Sequence, residues 1–232
     1  MANRPVYIPK INPDSLGVIT KYIDFEWFPG MSVNQKQKSI LSLHRAAAQN
    51  DISPLLEIST KSNTELGVML SAFHLMIKTK KRNRAFSVEN AFQSSKVFQN
   101  GGPYIDLLNG TSSQAKKDIR LKESGNLIKF VFFNEDFPLE PRTFFYDWIY
   151  INALHQNKVL SNEVMKFNGF TDIEFNPKKS INCQAYSAAL YVSLRRAGVI
   201  NEVLASRTAF LESLTNEYNE IKESHQIQRL LL

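Results

Sequence analysis

The residues with the most chemical potential fall in three clusters, each embedded in apolar or aromatic sequence. The first is Glu89, Gln93 and Lys96. At about 100° per residue these three lie within about 60° of one another on a helix, a stripe carrying an acid, an amide and an amine. The second is Asp147, flanked by Tyr146 and Trp148 within Phe144-Phe145-Tyr146-Asp147-Trp148-Ile149-Tyr150. The third runs from Asp172 and Glu174 through Asn176, Ser180 and Asn182 to Gln184. Poor solvation holds a carboxylate among apolar groups in its neutral form, so its pKa rises and it suits proton transfer. Structural roles fit the same residues: Glu89 and Lys96 on a solvated helix face, Asp147 bonded to a loop, Asp172 and Asn176 capping turns.

Other reaction classes lack their residues. Cys183 is the single cysteine, so neither an intramolecular disulfide nor a paired-cysteine zinc site can form. A thiolate pair of Cys183 with His155 is chemically conceivable, but a small thiol beginning an Ala-rich helix is an ordinary packing residue. His44, His74, His155 and His225 are scattered without metal-binding spacing. The absence of GxGxxG, a phosphate loop and GxSxG removes the main support for dinucleotide oxidoreductases, P-loop NTPases and serine hydrolases. No metal and no cofactor is expected. The charge of +6, from 28 basic and 22 acidic residues, favours a polyanionic partner in general terms. No apolar stretch approaches the roughly 20 residues that span a bilayer, and the polar start lacks a signal-peptide core. These features predict a cytoplasmic protein with no membrane partner.

The elements that must position the clusters are mainly helical with a small β component, an α+β domain. Residues 1–31, with four prolines and aromatic islands, read as an extended arm of modest edge-strand potential. Ser32 and Gln35 form a capping-box pattern for a helix to about Gln49, with Ile40, Leu43 and Ala47 inward. Leu55 to Thr60 predicts a strand, and Val68 to Ile77 one or two more. Ser87 caps a predicted helix to about Gln99, Ser112 or Ser113 starts another, and Leu127 to Phe133 has the composition of a buried strand. Helices are predicted from Thr143 to Lys158 and from Ile181 to Ala197, the latter ending at Gly198. A long helix from Asn201 carries Leu204, Leu211, Leu214, Tyr218 and Ile221 close to a heptad seam, able to pack on its own domain or to form a homodimer. The expected division is an N-terminal arm and helix (1–64), a catalytic core (65–200) and a C-terminal amphipathic helix (201–232).

Two segments in that order carry a resemblance. Leu70-Ser71-Ala72-Phe73-His74, followed by Phe86-Ser87-Val88-Glu89-Asn90-Ala91-Phe92-Gln93-Ser94-Ser95-Lys96, resembles the signature of the NADAR (NAD- and ADP-ribose-associated) family: Leu-Ser-Asn-Phe, then a Val-Glu-His-Tyr-Tyr/Phe-Gln-x-x-Lys helix. Ser112-Ser113-Gln114-Ala115-Lys116-Lys117 is similar to the family's Thr-Pro-x-Glu-Ala-Lys helix, and Asp147-Trp148 sits where a Trp-bearing helix is expected. The resemblance covers residues 65–198. Asn90 stands in place of the family's His, Ala72 in place of Asn, and residues 120–142 look like an insertion.

The resemblance implies an N-glycosidase that removes ADP-ribose from modified bases of DNA or RNA, guanine above all, as the antitoxin of an ADP-ribosyltransferase toxin or in phage conflict. Breaking an anomeric C–N bond passes through an oxocarbenium-like state, which needs an anion near the sugar, a proton for the departing nitrogen and a positioned water. Glu89 then stabilises the cation or activates water, and Asp147 or Glu174 supplies the proton. Lys96 has two roles open to it, ligand to ribose or phosphate as an ammonium, or attack on the anomeric carbon as a neutral amine giving a Schiff base. Ser71, Phe73, Phe92, Gln93, Trp148, Asp172 and Asn182 complete the implied substrate site. The run Lys78-Thr79-Lys80-Lys81-Arg82-Asn83-Arg84 precedes the signature helix, and its Lys80, Lys81, Arg82 and Arg84 are expected to hold nucleic-acid phosphates unless the run is a solvated hairpin tip. Hydrolysis of a small ribosylated metabolite and a non-catalytic ADP-ribose or nucleic-acid binding module are the alternatives.

Overall fold

The computed structural model describes residues 1–12, 15–79, 84–176 and 180–230, with side chains to 223. Strands β1 (Ala2–Pro9) and β2 (Val18–Phe25) pair antiparallel along their whole length. Helix α1 (Val33–Ala48) follows, with the Ser32 hydroxyl accepting from Gln35 N, then β3 (Leu55–Glu57) and α2 (Glu65–Met69). Next come β4 (Met76–Lys78), β5 (Ala85–Ser87), α3 (Val88–Ser94) and β6 (Lys96–Phe98). Short helices α4 (Ser112–Lys117) and α5 (Arg120–Glu123) lead into the hairpin of β7 (Leu127–Phe132) and β8 (Glu135–Phe137). Helices α6 (Phe144–Gln156) and α7 (Lys158–Glu163) precede β9 (Gly169–Thr171), and α8 (Gln184–Arg196), α9 (Ile200–Val203), α10 (Arg207–Ser213) and α11 (Thr215–Leu230) close the chain.

The chain is an α+β protein. A four-stranded sheet, in the order β2-β1-β9-β3, separates two apolar layers. Alternation along β1 decides which residue joins which layer: Val6 meets Ile40, Leu43 and Ala47 of α1 on one side, while Tyr7 turns to the other and packs edge-on against Tyr186 of α8 at 5.8 Å. Helix α6 is buried on nearly every side, which its run of aromatic and aliphatic residues requires. Two smaller sheets, β4-β5 and β6-β7-β8, flank α3. No helix among the described residues is long and apolar enough to cross a membrane.

Four expectations need correction. The arm is a β-hairpin forming half of the largest sheet, because its prolines fall where they cost little: β9 pairs with β1 at Tyr7 alone, so among the described residues Pro5 has no partner strand on that side, and Pro9 ends the strand. Val68 to Ile77 is not strand throughout: Thr64 caps α2, and only β4 is extended. Helix α3 stops at Ser94, where the hydroxyls of Ser94 and Ser95 both donate to Ala91 O and Val97 and Phe98 pair with β7. The C-terminal helix is broken into α9, α10 and α11, with Ser206 capping a new start by accepting from Ala209 N. Leu214 and Tyr218 of the supposed seam are buried in the chain's own core.

Candidate functional site

A cavity of about 1060 Å³ opens between α3, the loops after β3, α2 and β9, and the β6-β7-β8 sheet. Glu89 lies on the first turn of α3, whose N-terminus is fixed by the Ser87 cap and by Glu89 N donating to Ala72 O at 2.9 Å. Its side chain is buried and faces the cavity, and Gln93, one turn on, donates from Nε2 to Glu89 Oε1 at 2.9 Å. Lys96 enters from β6 rather than from the helix. Its Nζ lies 4.8 Å from the centroid of the Phe92 ring, and among the described residues no carboxylate comes within ion-pair distance. Burial draws the ammonium below its ordinary value; nearby Glu89 opposes this and Lys116 adds to it.

The opposite wall is the loop after β9. Asp172 Oδ1 accepts from the backbone N–H groups of Glu174 and Phe175, and Oδ2 accepts from Gln184 Nε2 at 3.0 Å. Gln184 also donates to Ile58 O and accepts from Ala72 N, both at 2.7 Å, and so clamps both walls of the cavity. Burial first, and then the Glu57 carboxylate beside it, push Asp172 up to about 8. Glu57 accepts from Thr171 Oγ1 and Ile173 N, the residues on either side of Asp172. Thr171 Oγ1 therefore accepts from His44 at 2.9 Å, and burial holds that imidazole neutral by lowering its pKa to about 4. Sequence reasoning missed Glu57 and His44 as supports of the site. The available signals were a lone acid in Leu55-Leu56-Glu57-Ile58 and a histidine on the inward side of α1.

Ser71, Phe73, Phe92, Glu174 and Asn182 line the same cavity. The Ser71 hydroxyl is engaged by Val68 O and His74 Nδ1, Lys116 Nζ lies 5.2 Å from the Phe73 centroid, and Glu174 is an exposed rim acid paired with Lys36 at 3.0 Å. The rim also carries Lys61, Lys116, Lys117 and Arg142. Lys80, Lys81 and Arg82 lie outside the described residues; Arg84 bonds Asn109 and does not line the cavity. Asn90 is a strut: its Nδ2 donates to Leu107 O and Gly110 O, and its Oδ1 accepts from Ser112, tying α3 to the turn before α4. Gly102 has φ +88°, and a Cβ there would lie 2.2 Å from Lys96 O, so its need is backbone packing.

Two sequence candidates lie elsewhere. Asp147 is only 1% exposed and does not border the cavity. It accepts from Ser187 Oγ at 2.6 Å and Tyr218 OH at 3.3 Å, and burial pushes it up to about 7. Trp148 packs edge-on against Phe210. The aromatic surroundings are core contacts among α6, α8, α10 and α11, so neither side chain can reach a ligand in the cavity. Among the described residues no group of three or more His, Cys, Asp or Glu is arranged to hold a metal.

The chain matches the family of DarT1-associated NADAR antitoxins over residues 2–225. It belongs to that family. The match takes in the hairpin, the stretch 120–142 and most of α11, well beyond the segments that carry the resemblance. No curated protein matches the chain. Membership gives the antitoxin a role opposite ADP-ribosylation by a DarT-type transferase, its cognate partner. The apparent insertion contains β7 and β8, which join β6 in the sheet that supplies the cavity wall bearing Lys96, Leu127 and Phe130.

Proposed function

We propose that the antitoxin is an N-glycosidase that removes ADP-ribose from a modified base in nucleic acid, guanine being the expected base. The observation that carries this is Glu89: a buried carboxylate, held by Gln93 beside it, facing a cavity large enough for a nucleotide-sized ligand and rimmed by cations. With the anomeric carbon beside Glu89, the carboxylate stabilises the oxocarbenium-like state and takes a proton from the incoming water. The C–N bond breaks, water oxygen bonds to the anomeric carbon, and the departing nitrogen receives a proton. Asp172, protonated at neutral pH, replaces Asp147 as the donor. Lys96 contributes as cation or as nucleophile, and Lys61, Lys116 and Lys117 offer positive charge to phosphates at the rim.

The test is to incubate the protein, beside Glu89→Gln, with a guanine-ADP-ribosylated oligonucleotide and to follow released ADP-ribose by mass spectrometry. Release by wild type alone is expected. No release by folded wild-type protein, with other ADP-ribosyl linkages also untouched, overturns the reading in favour of a metabolite hydrolase or a binding module.

A further inference from the structure

The Gln93 amide is turned so that Nε2 donates to Glu89 Oε1 at 2.9 Å, which sets an N–H donor against a carboxylate oxygen. That leaves Oε1 on the other side of the amide. It is buried, it has no partner among the described residues, and its side chain, 7% exposed, lines the cavity. A buried carbonyl oxygen without a donor is costly, and native structures rarely tolerate one. Asn182 Oδ1, in the same lining, is a second buried acceptor without a partner among the described residues. Both acceptors call for donors. Phosphate oxygens cannot supply them, and neither can the π-face of a base; hydroxyl groups and the N–H edges of a base can, and with Glu89 beside the anomeric carbon the donor nearest Gln93 is a hydroxyl of the sugar.

We infer that Gln93 Oε1 receives the ribose hydroxyl next to the anomeric carbon, making Gln93 the residue that selects ribose over 2-deoxyribose at the bond to be cut. The inference rests on the proposed glycosidase reading, in which Glu89 sits beside that anomeric carbon. Because Gln93 holds Glu89 with one end of its amide, the other end is one side chain's width away, where the neighbouring hydroxyl falls. A site built to bond a hydroxyl rejects the analogue lacking it, since its buried acceptor is then stranded. On a DNA strand this separates the bond to ADP-ribose from the guanine's own bond to 2-deoxyribose. The selection must come from the protein: the electron-withdrawing 2-hydroxyl disfavours an oxocarbenium ion, so intrinsic reactivity runs towards the deoxy sugar.

The experiment compares two oligonucleotides, one with ADP-ribose on guanine and one with its analogue lacking the hydroxyl next to the scissile bond. Wild type is expected to turn over the deoxy analogue about 10²-fold more slowly or worse, and Gln93→Met to bring the two rates close together while slowing the ribose substrate. Equal rates with wild type overturn the inference, as does a Gln93→Met variant that slows both substrates by one factor and leaves their ratio unchanged, the result of a purely structural role. The wild-type comparison does not depend on the variant folding. If wild type cleaves neither substrate, the glycosidase reading fails, and calorimetry with free ADP-ribose and its deoxy analogue decides the inference separately: weaker binding of the analogue, abolished in Gln93→Met, supports it, and equal affinities overturn it.

Discussion

Glu89 and Asp147 are both buried acids on helices that pack against each other, α3 and α6, yet they differ in what remains for a ligand. Around Asp147 the polar groups close on themselves. Ser187 and Tyr218 donate to it, while neighbouring Glu217 accepts from Lys10, Val18 N and Tyr186. These bonds join the residue after β1, the start of β2, α6, α8 and α11, with both acids buried and neither lining the cavity. Around Glu89 the side-chain donor among the described residues is Gln93, the next acceptor in line has no partner among them, and both side chains line the cavity. A raised carboxylate pKa, the property sought in the sequence, belongs to the closed region as much as to the open one. Hydrogen-bond accounting and access to space separate the two, because a fully bonded buried acid holds the fold together whereas a partly bonded acid on a cavity can act on something else.

The comparison breaks most readily on activity. Glu89→Gln is expected to lower kcat by about 10³-fold or more, as removal of an anionic transition-state contact does, whereas Asp147→Asn keeps kcat within a few-fold; the reverse pattern, in folded proteins, refutes the assignment. Stability sharpens it. Asp147 is raised from 3.8 to about 7 in the folded state. Below about pH 4 folded and unfolded chains both hold its proton; between about 4 and 7 only the folded chain does, so stability falls as pH rises and the penalty is complete above 7, on the order of a few kcal/mol. Thermal melts should therefore show Asp147→Asn gaining on wild type between pH 5 and pH 8.

Smaller effects are expected at the edges of the cavity. Asp172, raised to about 8, is protonated below that value and ionised above it, so a rate that needs its proton declines as pH rises past 8. Asp172→Asn should cost about 10²-fold in kcat and flatten that alkaline limb; a limb that survives in the variant assigns it to another group. Neutralising Lys116 and Lys117 together should weaken oligonucleotide binding about tenfold and reduce the slope of log affinity against log salt by about 1 to 2, and a slope identical to wild type removes them from the phosphate path.

Much of this was legible locally. The Ser32 and Ser87 caps, the stop at Gly198 and the four-residue step from Glu89 to Gln93 depend on neighbours in sequence, and they stand in the fold as read. Lys96 faces the cavity even though its helix ends before it, because β6 continues along the same wall. Asp147 was misjudged because its partners, Ser187 and Tyr218, lie 40 and 71 residues away. Glu57 and His44 were passed over for the same reason: both converge on Thr171, 114 and 127 residues distant.

By itself, then, the sequence determined the α+β class, the signature helix and the membership of the chain in its family, since caps, periodicity and motif are properties of short windows. Tertiary structure alone decided which acid meets the cavity, which is closed within the core, and that the proline-bearing start is a sheet rather than an arm. Solvation and hydrogen bonding set a side chain's chemistry, and both are supplied by elements that only folding brings alongside.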